Sequence, residues 1–223
     1  MCDEQKLLYL VASKRMHIYI ICMQKESIAK YLKSHGGYAR MSELKTAPFN
    51  TRDIARLVRD GTLDKIKPGL YRLSVMNVSS EEYMEMVDIC RAYPKAVICL
   101  ASALAFYELT TFNPQEVFVA LPHNHRAPRI GHPPLRVFYF HDRFFGWGIS
   151  TIKKKYGIIR IYEPEKSICD AFRYRSKVGE DLALEALRRY YSTGKPDIGK
   201  LIDYAQRCQT KTVMTPYLRA LTA

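Results

Sequence analysis

"NTRDIARLVRDGTLDKIKPGLYRL", residues Asn50–Leu73, holds a change of period that sets the architecture of the N-terminal part of the chain. Its first half places Ile54, Leu57 and Val58 on one helical face. Asn50 or Thr51 stands where an N-cap is wanted, and Gly61 stands where a helix ends. The second half predicts two strands, near 62–67 and 70–74, turned by Pro68-Gly69 in a type II turn. Working outward toward the N-terminus, "QKESIAKYLKSH" predicts a helix with Ile28, Tyr31, Leu32 and His35 at helical spacing, stopped by Gly36-Gly37. Tyr38-Ala39-Arg40 reads as a very short strand, and Ser42 is placed to cap a short helix carrying Leu44. Helix, short helix, turn, helix and hairpin is the order of a winged helix-turn-helix.

Charge says what such a module could hold. Arg52, Arg56 and Arg59 fall at i, i+4 and i+7, so they share a face away from the apolar stripe. The second helix of a helix-turn-helix meets base edges with its N-terminal residues. Asn50, Thr51, Arg52 and Arg56 are therefore the candidates for base or phosphate contact, and Arg59 for a phosphate clamp. The hairpin adds Lys65, Lys67 and Arg72, expected to lie along a nucleic acid backbone. Eleven basic and five acidic residues fall between Met23 and Ser79, a net +6.

The whole chain has 223 residues and a formal net charge of +13, which suits a polyanionic partner. With 48% hydrophobic residues, the chain can build a real core. Its six cysteines form no C-x-x-C pair and sit mostly in apolar runs, as reduced core thiols of a cytoplasmic protein do. No apolar run nears membrane-spanning length, so no membrane partner is expected. Residues 1–23 are set apart as an N-terminal extension without a signal-peptide pattern, and Met23 is the expected natural start. The winged helix-turn-helix is expected over 24–74, a small polar linker over 75–80, and a second domain over 81–223. In that second domain "SEEYMEMVDICRAYP" predicts a helix with Tyr83, Met86, Val87 and Cys90 inward. "EVFVALP", "LRVFYFH" and "GISTIKKKYGIIRIY" predict strands, and the last sixty or so residues read as helices. The fold class is therefore α+β: a winged helix-turn-helix, then a small mixed sheet with helices and a helical C-terminus.

Catalytic patterns are sparse. His123, His125, His132 and His141 lie in or beside a basic, proline-rich loop without a completing ligand set, so no metal and no cofactor are expected. "EPEKSICD" invites a metal-dependent nuclease reading on Glu163, Lys166 and Asp170. Pro164 stands where a (D/E)-x-K signature needs an acid, and a helix capped by acids explains the same residues. Neither a P-loop nor a nucleotidyltransferase Gly-Ser signature occurs.

The stretch "MSELKTAPFNTRDIARLVRDGTLDKIKPGLYRL" resembles the winged-helix domain of the AbiEi antitoxins, from the bacterial abortive-infection AbiE toxin–antitoxin systems. Gly61, the basic strand "LDKIKPG" and Gly69-Leu70-Tyr71 carry the likeness. It extends through "AVICLASALAFYELT", "EVFVALP" and "IYEPEKSICDAF". In the last of these, Glu163, Lys166, Ser167 and Asp170 match a [DE]-x-x-[KR]-[ST]-x-x-D segment, which marks them as functional candidates of the second domain. The extension before Met23 has no counterpart. The resemblance implies a winged helix that binds inverted repeats in operator DNA at its own promoter. It also implies an antitoxin domain that counteracts a nucleotidyltransferase-like toxin of a type IV system, whose two proteins need not form a stable complex. A DNA-binding regulator without a toxin stays open as the alternative, and behind it the nuclease.

Overall fold

The computed structural model describes residues 23, 25–47, 49–74, 83–194 and 196–222. The expected extension before Met23 and the expected linker at 75–80 lie outside them. The chain separates into two compact units between Glu82 and Tyr83.

The first unit opens with helix α1 (25–34), whose Ile28 and Leu32 are fully buried while His35, expected on the same stripe, is exposed at its end. Strand β1 (Tyr38–Arg40) leads directly into α2 (Met41–Thr46). Ser42 lies inside α2 and does not cap it. The start is fixed by Glu43, whose carboxylate accepts the Arg40 backbone N–H at 2.6 Å. Helix α3 (Thr51–Arg59) buries Ile54 and Leu57, with Val58 half-buried at the stripe's edge. Gly61, at φ +70°, ends it in a Schellman motif. There the Thr62 N–H reaches the Leu57 carbonyl at 2.9 Å and the Gly61 N–H reaches that of Val58 at 3.2 Å. Strands β2 (Leu63–Lys67) and β3 (Leu70–Leu73) form the hairpin, and Gly69 takes φ +81° as a type II turn requires. The sheet order is β1-β3-β2, antiparallel throughout, so β3 is central. Leu44, Leu63, Ile66 and Leu73 join the α1 and α3 stripes in one small core.

The second unit packs helices on a five-stranded mixed sheet ordered β6-β5-β4-β8-β7. Its strands are β4 (Val97–Ile98), β5 (Val117–Pro122), β6 (Leu135–Phe140), β7 (Ile149–Lys154) and β8 (Gly157–Tyr162). β4 pairs antiparallel to β5 and parallel to β8, β5 runs parallel to β6, and β7–β8 is a hairpin. Helix α4 (Met84–Ala92) turns Met86, Val87, Ile89 and Cys90 inward; Tyr83 instead stands half-buried at its N-cap, at φ +69°. Helices α5 (Leu100–Phe106) and the short α6 (Asp142–Phe145) flank the sheet. Pro164 opens α7 (Pro164–Arg173), where its missing N–H has no helical partner to lose. α8 (Arg175–Val178), α9 (Glu180–Ser192), α10 (Ile198–Arg207) and α11 (Lys211–Thr222) complete the helical C-terminal part. α7 packs against α5, α9 and α10, and eight of its ten residues are buried. Its own Phe172 joins Phe140 and Tyr162 in the core. Burying each aromatic contributes about 1.5–3 kcal/mol. The fold class is α+β, as the pattern of elements predicts.

Candidate nucleic-acid interface

Asn50 sits before α3 in extended backbone, and its side-chain oxygen accepts the Asp53 N–H at 2.9 Å. The residue expected to touch DNA is thus also the helix cap, and only its amide nitrogen is left for an outside acceptor. Thr51 and Arg52 follow it, both exposed, and Arg59 is exposed at the far end of the helix. Arg56 lies between them, half-buried, with Nη1 3.9 Å from the Asp53 carboxylate. That loose i,i+3 contact offsets little of its charge. At the helix C-terminus Asp60 is drawn to Lys25 of α1 at 3.3 Å. α3 therefore presents a cationic outer face over an apolar inner one.

On the hairpin Lys65 is exposed and Lys67 half-buried near the turn. Burial first, and the neighbouring Arg40 charge second, hold the Lys67 ammonium below its ordinary range. Arg72 corrects the expectation placed on it. It is only 4% exposed, with Nη2 2.9 Å from Asp64, whose other oxygen takes the Ser74 hydroxyl at 2.9 Å. Its strand, β3, is covered on both edges, and the Tyr38–Arg72–Asp64 row turns its guanidinium into the sheet's own ion pair. Arg72 fastens the wing and does not reach out from it.

The second unit's candidates are pulled apart by burial. Lys166, Ser167 and Asp170 are fully buried in α7. Lys166 Nζ stands 2.5 Å from the Asp170 carboxylate, over the rings of Tyr162 at 4.6 Å, Trp147 at 4.7 Å and Phe140 at 5.3 Å. The Asp170 carboxylate also takes the Cys208 thiol at 3.6 Å, and desolvation holds its pKa above the usual range against the pull of Lys166. The Ser167 hydroxyl donates to the Tyr162 carbonyl. No water or phosphate can reach this pair, so Glu163, Lys166 and Asp170 do not assemble the open acid–lysine centre a nuclease needs.

Glu163 stands at the N-cap position of the same helix, half-buried and without a side-chain cap bond. It accepts the Tyr204 hydroxyl at 2.7 Å and lies 3.2 Å from Lys200 Nζ. Lys200 also reaches Glu165 at 3.1 Å, and Glu165 accepts the Tyr190 hydroxyl at 2.7 Å. The sequence reading names Glu163 but misses Lys200, Tyr190 and Tyr204, which arrive from α9 and α10. Their distance along the chain gives no local signal.

Elsewhere the histidines serve separate contacts. His125 lies 3.0 Å from Lys95, His132 lies 3.4 Å from Glu85, and His141 accepts the Arg143 N–H at the start of α6. Among the described residues no group of three or more His, Cys, Asp or Glu is placed to hold a metal. Cys90, Cys99, Cys169 and Cys208 are free and buried. Burial pushes the Cys90 thiol up to about 11, and those of Cys99 and Cys169 well above the ordinary value, which disfavours the thiolate form. Among the described residues no helix is long and apolar enough to cross a membrane.

A capped helix with an outward cationic face, preceded by α2 and followed by a basic hairpin, has the layout of a winged helix-turn-helix. Residues 26–74 match the family model described as a transcriptional regulator, AbiEi antitoxin, so this part of the chain is similar to that family. A search of curated proteins found no match to the chain.

Proposed function

We propose that the protein is a bacterial antitoxin and transcriptional autorepressor without catalysis of its own. Its winged helix binds operator DNA, as inverted repeats. Its second unit counteracts a nucleotidyltransferase-like toxin, with or without a direct complex. The observation that carries the DNA half is the face of α3. Exposed Arg52 and Arg59 with half-exposed Arg56 stand opposite buried Ile54 and Leu57, beside a wing carrying Lys65 and Lys67. Arginine can read guanine with two hydrogen bonds, a discrimination of about 1–3 kcal/mol per contact. The antitoxin half rests on the family match of the first unit and on the resemblance of "IYEPEKSICDAF" in the second. The test is a mobility-shift titration of the chain on duplex DNA from its own promoter. The double change Arg52→Ala and Arg56→Ala is expected to abolish the specific shift. Undiminished affinity in that variant removes α3 as the recognition helix.

A further inference from the structure

Where α6, the last turn of α7 and the end of α10 meet, the second unit gathers positive charge around one ring. Phe144 of α6 is buried, at 2% exposure. The guanidinium carbon of Arg173 lies 3.2 Å from its ring centroid, and that of Arg143 lies 4.4 Å from it. The two guanidiniums thus stand no further apart than those two distances together. Arg143 Nη2 donates to the Gln209 side-chain oxygen at 3.1 Å, which brings the segment just beyond α10 to the same place.

Negative charge is scarce there. Among the described residues no carboxylate lies within ion-pair distance of Arg143 or Arg173. Asp142 is exposed beside Arg143 in the chain and does not pair with it. Asp170, three residues before Arg173 on α7, holds Lys166 Nζ at 2.7 and 2.5 Å and the Cys208 thiol at 3.6 Å. Lys166, Arg143 and Arg173 therefore gather around a single buried carboxylate, and Lys166 occupies it. Arg173 Nη1 is shielded from solvent and has no hydrogen-bond partner. The face of Phe144 attracts both cations but accepts no such bond from Nη1.

We propose that Arg143 and Arg173, with the side-chain amide of Gln209, bind one phosphate group of a small phosphorylated molecule. Arg143 is exposed and its acceptor is the neutral Gln209 oxygen. A phosphate oxygen replaces that acceptor, because hydrogen bonds between charged groups are the stronger. The same phosphate supplies Arg173 Nη1 with the acceptor it lacks and takes a third bond from the Gln209 amide nitrogen. Reaching Nη1 beside a buried ring suits a terminal phosphate, whose oxygens are unencumbered, better than a phosphodiester with sugar on both sides. The site belongs to the second unit and stands independently of the DNA-binding reading of α3.

The test is calorimetric titration of the full chain at constant ionic strength, with inorganic phosphate and with adenosine monophosphate as probes. Saturable binding is expected. Arg143→Ala is expected to weaken it about tenfold or more, the loss of a charge-assisted hydrogen bond. Arg173→Lys keeps the charge but loses the planar fork, and a comparable loss is expected. Gln209→Ala weakens binding less, and Arg188→Ala, at an exposed cation of α9, leaves it at the wild-type value. Tighter binding of the nucleotide marks a phosphate monoester as the occupant, and equal or tighter binding of inorganic phosphate marks the free ion. Absence of saturation by both probes, full affinity in Arg143→Ala or in a folded Arg173→Lys, or an equal loss in Arg188→Ala overturns the site. A scrambled duplex that loses affinity in Arg143→Ala, where neither small probe saturates, gives the pair to nucleic acid and overturns it as well. Thermal midpoints report which variants fold. Arg143→Ala changes an exposed side chain, so its midpoint is expected to match wild type and its titration decides the matter if Arg173→Lys does not fold.

Discussion

At Asn50 one side chain meets two demands, a helix cap and a place on the proposed DNA-facing surface, and substitution can separate them. The cap uses the side-chain oxygen, through the Asp53 N–H at 2.9 Å. Asn50→Ala removes it and is expected to cost the first unit about 0.5–2 kcal/mol. Asn50→Asp keeps the acceptor and places a negative charge at the positive end of the α3 dipole, so stability should hold or rise slightly. The same charge faces a phosphate backbone, so operator affinity should fall in the variant that folds best. Urea denaturation and a promoter-duplex titration, run side by side on the two variants, read the two effects. Parallel changes in stability and affinity would leave Asn50 with a structural role only. Arg72 marks the opposite case, a charged side chain whose likeness to Lys65 and Lys67 in sequence hides an interior role.

Helix α7 binds its neighbours through Glu163, which meets Lys200 and Tyr204 of α10, and through Glu165, which meets Lys200 and Tyr190 of α9. Burial alone would push the Glu163 carboxyl up, but the Tyr204 and Lys200 hydrogen bonds outweigh it and hold its pKa below the ordinary 4.5. Burial alone would lower Lys200, but its two carboxylate partners win and raise it above 10.5. The signs then follow. The Glu163 contribution is present above pH 4.5 and is lost as pH falls through its depressed folded value. The Lys200 contribution is present below pH 10.5 and is lost as pH rises through its raised one. Replacing Lys200 by Met should therefore cost a part-exposed pair's worth, up to about 1 kcal/mol, evenly across neutral pH. The gap between variant and wild type should narrow below pH 4.5 in urea titrations, and a gap that widened with acid would contradict the assignment. At this scale the sequence was legible where local signals decide. Gly61 and Pro68-Gly69 announce the end of α3 and the wing turn, because their positions require left-handed or fixed backbone. Pro164 announces α7 for the same kind of reason. The role of Arg72 was not legible, since a hairpin sequence does not say that β1 will cover its second strand. The burial of Lys166 and Asp170 was not legible either, because an i,i+4 acid–base pair has the same spacing on a surface as in a core.

Each unit has its own core, Ile28, Leu32, Ile54 and Leu57 in the first and the Phe140, Tyr162 and Phe172 cluster in the second. Stability effects at such separate sites are expected to add, so the two halves of the proposed function should be separable by substitution. Lys166 supplies the means for the second unit. Lys166→Met leaves the Asp170 carboxylate without its cation at zero exposure, and breaking a buried pair from one side costs about 3–5 kcal/mol. Replacing Asp170 by Leu in the same chain removes the stranded charge and should return most of that loss, because a well-packed apolar pair often matches a buried ionic one. The expected pattern in cells carrying a nucleotidyltransferase-like toxin is then crossed. Lys166→Met loses protection while its full chain still binds the promoter duplex, and the Lys166→Met, Asp170→Leu chain regains protection with its fold. The Arg52→Ala, Arg56→Ala chain protects but does not bind. Protection by the unfolded-prone Lys166→Met chain, or its absence from the stabilised double variant, would place antitoxicity outside the second unit's folded core or on the Lys166–Asp170 pair itself. A net charge of +13, against +6 between Met23 and Ser79, leaves enough positive charge beyond the wing for the second unit to contribute nonspecific affinity. Promoter binding is therefore compared at two salt concentrations in each variant, so that a loss of general attraction is not read as a loss of recognition.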